Sequence, residues 1–244
     1  MSSFTKSTLA ALAIGVAAAS ANAATINDGY NGAGLSYNGD VFGNAKIYQV
    51  DRMEVSYDAD NLYVNVYTNF FEGADSLGHK FGDLFISTNG WNPNGTAANR
   101  YGTDDVSNGE HWEYALDSAT GDLYSLSEVD YASQLVLSGP GSVRVNQEVG
   151  VKTDAASLVA GETSSADLSG ASTTIGSLGV LSFTITLADL GITDLSKSTA
   201  LGLRWTMTCA NDVIEGGFNV PEPGTLAMLG LGLVGLGLSR RKKA

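Results

Sequence analysis

Apolar residues take every second position along several stretches of this chain. Leu181, Phe183, Ile185 and Leu187 alternate with Ser182, Thr184 and Thr186, the period-2 pattern of a half-buried strand. Leu201, Leu203, Trp205, Met207 and Cys209 repeat it, which assigns Arg204, Thr206 and Thr208 to the solvent face. Met53, Val55 and Tyr57 lead into Asp58-Ala59-Asp60-Asn61, after which Leu62, Val64 and Val66 resume the alternation. Two alternating runs joined by a short polar turn predict a hairpin. Shorter runs follow in KFGDLFIST, HWEYALD, GDLYSLS and SVRVNQEV, punctuated by turn signals such as Asn89-Gly90, Asn108-Gly109 and Thr120-Gly121. In HWEYALD the alternation turns Trp112, Tyr114 and Leu116 inward, and His111, Glu113 and Asp117 outward. Only TLADLGI offers a brief helical turn. About eight or nine strands at this spacing predict an all-β chain folded as a single antiparallel β-sandwich, jelly-roll-like in type. Residues 154–179, rich in Ser, Thr, Ala and Gly, read as a long loop on that sandwich.

Composition agrees with strands and turns: 30 of 244 residues are glycine, well above the usual ~7%. Charge narrows the range of partners. The net charge of −13 is held down by basic residues at the two ends, and residues 24–220 carry eight basic against 25 acidic side chains. Nucleic-acid binding, which works by placing Lys and Arg on phosphates, is excluded. Cys209 is the single cysteine, so an intramolecular disulfide and a cysteine-based zinc site are excluded too. Its inward strand position predicts a buried, unreactive thiol.

The ends read as addresses. Lys6, an apolar run from Leu9 to Ala19 and the small residues Ala21 and Ala23 form a secretory signal peptide over residues 1–23, with signal peptidase cutting after Ala23. The last residues, 221–244, combine Pro221-Glu222-Pro223, an apolar helix over 225–239 and the basic cluster Arg240 to Lys243. The apolar core spans about 20 Å as a helix, short of the roughly 30 Å of bilayer hydrocarbon, and the basic cluster stays cytoplasmic. In order and in residue these three parts resemble the PEP-CTERM sorting signal of Gram-negative bacteria. The resemblance implies transient anchoring in the inner membrane, processing near Pro221-Glu222-Pro223 by an exosortase, and delivery to the cell surface or the exopolysaccharide (biofilm) matrix.

Between the addresses, candidate chemistry is sparse. Nucleophilic catalysis needs a base, most often histidine; only His79 and His111 exist, and no Gly-x-Ser-x-Gly elbow accompanies them. Glu110, Glu113 and Asp117 straddle one strand and could serve as the paired carboxylates of a glycoside hydrolase. Structural calcium, bound by clustered oxygens in loops, has three candidate places: Asp58 with Asp60, Asp104 with Asp105, and Asp212 with Glu215. A glycan needs an exposed aromatic platform with hydrogen-bonding neighbours. Trp91 in the polar loop TNGWNPNG, with Asn92, Asn94, Arg100 and Tyr101, offers one, whereas Trp112 and Trp205 fall on core faces.

The stretch MEVSYDADNLYVNVYTNF, with GDLFISTNGW after it, resembles the opening strands of family 9 carbohydrate-binding modules and of the related DOMON sandwiches. Sequence and resemblance together lead to a non-catalytic, exported surface protein that binds extracellular polysaccharide or other matrix components. A structural coat protein without a discrete ligand and a secreted glycoside hydrolase are the alternatives.

Overall fold

The computed structural model describes residues 22–32, 40–139, 142–161, 163–193 and 199–220. Ala21, Pro221, Glu222, Pro223 and the helix expected over 225–239 lie outside the described residues. The chain is nearly all β and antiparallel, as the alternation predicts. Its strands are β1 (Asn22–Asn27), β2 (Val50–Tyr57), β3 (Asn61–Thr68), β4 (Leu84–Ser87), β5 (Tyr114–Leu116), β6 (Leu123–Ser125) and β7 (Leu135–Leu137). They continue with β8 (Glu148–Val151), β9 (Ser157–Leu158), β10 (Ser165–Asp167), β11 (Gly179–Thr186), β12 (Thr199–Thr206) and β13 (Val213–Val220). A five-stranded sheet runs β1-β2-β3-β11-β10, a six-stranded sheet runs β13-β12-β4-β5-β6-β9, and β7 pairs with β8 alone.

The expected hairpin forms from β2 and β3. Asp58 closes its turn by accepting the Asp60 and Asn61 N–H groups on Oδ1, at 2.9 and 2.8 Å, and the Tyr63 hydroxyl on Oδ2. Alternation then sends Met53, Val55, Leu62, Val64, Val66, Leu181, Phe183 and Ile185 into the main core. From the other sheet they meet Leu84, Ile86, Leu116, Leu123, Leu201, Leu203 and Trp205.

The six-stranded sheet is buried on its second face as well. Phe85, Trp112, Ala115 and Tyr124 pack there against Tyr131, Leu135 and Val151, contributed by the β7–β8 pair and the short 3-10 turn Tyr131–Gln134 before it. This layer corrects the outward assignment of Arg204 and Thr206, each only 1% exposed. An alternating strand does not report a second layer that covers its polar face. Trp112 and Leu116 also differ from expectation, because they are buried in opposite layers. β5 begins only at Tyr114, so the strand parity does not extend back to Trp112.

Residues 154–179 are not a plain loop. β9 adds to β6 and β10 adds to β11, extending an edge of each sheet. β1 forms the opposite edge of the five-stranded sheet and runs beside β13, the edge of the six-stranded one. Ala23 sits in β1 opposite Ser56. The seam between β1 and β13 carries the candidate site.

Candidate functional site: an aromatic groove over a buried charge network

A groove of about 300 Å³ opens along that seam. Thr25 and Asn27 of β1 form one wall, Glu215, Gly216 and Gly217 of β13 the other, and Tyr30, Trp91 and Tyr101 close it from the connecting loops. The Trp91 and Tyr101 rings meet edge-on at 5.0 Å, and Tyr101 stacks on Tyr30 at 6.1 Å. The paired glycines of β13 make room for this. A Cβ on Gly217 would lie 2.9 Å from Cβ of Trp91, and one on Gly216 would lie 2.6 Å from Cγ2 of Ile26. Consecutive glycines inside a strand mark a close approach of this kind.

Trp91 is held in place by carboxylates. Glu113 accepts the Thr88 N–H and the Asn89 amide, both at 2.7 Å. Glu110 accepts the Ser87 hydroxyl at 3.0 Å and the Asn92 N–H at 2.6 Å. Asp117 caps its own turn through the N–H groups of Ala119 and Thr120. The three carboxylates weighed for hydrolysis are thus engaged in fixing main chain.

Beneath the groove lies a buried polar cluster. Arg204 is wholly buried, and its Nη1 pairs with Glu215 Oε2. Its Nε donates to the Glu148 carbonyl at 3.2 Å and lies 3.6 Å from the Glu148 carboxylate, while Nη2 bonds Gln147 Oε1. The guanidinium also stands 5.6 Å from the Tyr30 ring. The hydroxyl of Tyr30 donates to Asp104 Oδ2 at 3.0 Å. Glu215 joins cluster to groove, for its Oε1 accepts the Trp91 indole N–H at 2.8 Å.

One guanidinium here faces two carboxylates, all three groups almost completely buried. Burial, then the negative charges of Asp104 and Glu148, push Glu215 up to about 8 despite Arg204. A folded-state pKa above the unfolded one means proton uptake on folding. The contribution is complete below about pH 4.5 and is lost as pH climbs through about 8. We expect the urea midpoint, followed by tryptophan fluorescence, to fall between pH 5 and pH 8.5. Glu215→Gln keeps an acceptor for Trp91 and should flatten that slope; an unchanged slope would show that Glu215 contributes nothing to it.

The structure divides the predicted residues. Trp91 and Tyr101 line the groove. Asn92 and Arg100 are exposed beyond it, and Asn94 accepts the Thr103 hydroxyl. Tyr30, Thr25 and Asn27 escaped sequence reasoning; the Gly216-Gly217 pair within one strand is the signal that could have marked their neighbourhood. The calcium candidates are also separated. Asp58 closes the β2–β3 turn, Asp60 is exposed, and Asp105 accepts the N–H and hydroxyl of Ser107. Asp104 sits in the buried cluster with Glu215, while Asp212 accepts the Val50 N–H at 2.6 Å elsewhere. Among the described residues, no group of three or more His, Cys, Asp or Glu side chains is placed to hold a metal ion. Cys209 is buried, which pushes its thiol up to about 11.

The fold and groove define an all-β, sandwich-like domain with a side-chain-lined cleft at its edge. Residues 219–242 match the PEP-CTERM protein-sorting motif. The protein carrying it is exported, processed by an exosortase and sorted to the cell surface. No curated protein and no solved structure matches the chain.

Proposed function

We propose that the exported domain is a non-catalytic module that binds neutral polysaccharide of the surface matrix in the β1–β13 groove. The carrying observation is the aromatic pair Trp91 and Tyr101, backed by the buried Tyr30, lining an open cleft beside the hydrogen-bonding side chains of Thr25 and Asn27. Sugar rings present apolar faces to aromatics and hydroxyls to polar side chains, which is what this lining offers. The acidity of the domain disfavours polyanionic polymers. Binding without turnover is supported by the engagement of Glu110 and Glu113 with main-chain N–H groups. In this reading the tail keeps the protein at the inner membrane of a Gram-negative cell until exosortase acts, and the groove then retains it in the matrix.

The test is retention of the exported protein on the producing organism's own extracellular polysaccharide. Saturable retention is expected, weakened about tenfold or more by Trp91→Ala. Released reducing ends would favour a glycoside hydrolase. No retention, with the polymer intact, would favour a structural coat protein.

A further inference from the structure

A second group of buried charges lies apart from the groove and is not used by it. Asp28, just after β1, faces Asp212, just before β13. Both carboxylate oxygens of Asp28 are sealed from solvent and meet no hydrogen-bond donor among the described residues. Asp212 is fully buried, receives the main-chain N–H groups of Val50 at 2.6 Å and Val213 at 3.1 Å, and has the Asp28 carboxyl within hydrogen-bonding reach. Asp40 brings a third negative charge within reach of both.

The cation facing them is Arg144, and its donors are already committed. They go to the carbonyls of Asn31, Asp40, Ala210 and Asn211 and to the side-chain oxygen of Asn31. Three carboxylates thus stand against one guanidinium, and none of the guanidinium's hydrogen bonds ends on a carboxylate. Two buried carboxylates face to face are strongly unfavourable unless something positive lies between them. Surplus charge, unpartnered oxygens and an all-oxygen donor set suit a hard divalent ion.

We propose that Asp28 and Asp212 together hold a hard divalent cation, calcium or magnesium, with water completing its coordination. Three carboxylates do not converge on one point here, so the site rests on this pair. An ion at this position ties the segment after β1 to the turn before β13, the two strands that wall the groove. The inference stands whether or not the groove takes a glycan.

The exported protein, stripped with a chelator, should bind one calcium or magnesium per chain in calorimetry. Its melting temperature should rise by about 5 °C or more at a hundredfold excess over Kd. Parallel titrations decide which ion is preferred. Asp28→Asn removes one charge and offers Asp212 an amide N–H, so it should fold without an ion, bind at least about a hundredfold more weakly and melt alike with ion and with chelator. Asp58→Asn, in the exposed turn, should bind as the parent does. The proposal is overturned if the parent melts identically in calcium, magnesium and chelator at pH 7, which would mean that the two carboxylates share a proton instead. Undiminished binding by Asp28→Asn would also overturn it, by placing the ion elsewhere.

Discussion

Replacing Arg204 with alanine is expected to destabilise the protein by about 3–5 kcal/mol, read as a lower urea midpoint with an unchanged slope. The size follows from what the substitution leaves behind. Arg204 and both of its carboxylate partners are almost completely buried. Removing the guanidinium leaves the Glu148 and Glu215 carboxyls buried without their charge partner and deprives Gln147 and the Glu148 carbonyl of donors. Breaking one side of a buried pair costs far more than the pair itself contributes. The origin of the cost can be separated from packing. Arg204→Met restores most of the volume but not the charge, so it should stay close to the alanine variant. Adding Glu215→Gln to Arg204→Met removes one buried ionisable carboxyl left without its partner and should recover part of the loss. A methionine variant as stable as the parent would show that the cluster is held by packing alone.

This same residue shows where sequence reasoning stops. The alternation in β12 is unambiguous, and it correctly turns Leu201, Leu203 and Trp205 inward. It assigns Arg204 to solvent because period 2 reports only that two faces differ, not whether something covers the polar one. The cover comes from β7, β8 and the turn at Tyr131, short elements of low contrast that belong to a layer no single strand can announce. β4 carried a clue, since Leu84, Phe85 and Ile86 form a continuous apolar run, as expected of a strand buried on both sides. The groove was half legible for a related reason. Trp91 stood out as an aromatic in a polar loop, but Tyr30, Thr25 and Asn27 reach it only because β1 and β13 end as neighbouring sheet edges. Asp212 was marked as a metal candidate beside Glu215, yet it turns away to Asp28, a contact spanning nearly the whole domain.

Trp205→Ala is expected to cost about 3–5 kcal/mol without removing any groove-lining side chain, the reverse of the outcome expected for Trp91→Ala. Trp205 is among the largest fully buried side chains. Its ring packs beside Phe81 at 6.4 Å, and its indole N–H donates to the Gly82 carbonyl at 3.0 Å. Truncation therefore opens a cavity in the main core and removes a donor from a carbonyl that Ser118 also contacts. The surroundings cannot collapse to fill the space, because Gly82 is itself wedged: a Cβ there would lie 2.2 Å from the Thr206 carbonyl oxygen and 2.5 Å from that of Val149. Relaxation is blocked by main chain on both sides, which places the expected loss toward the upper end of the range. Trp91 is only partly buried, and its indole lies over the glycines of β13 against the two smaller clusters rather than within the main core. Its removal should reduce polysaccharide retention while lowering the urea midpoint far less than Trp205→Ala does. Equal losses of stability from the two substitutions would make Trp91 a lid on the sandwich and remove the aromatic platform from the groove.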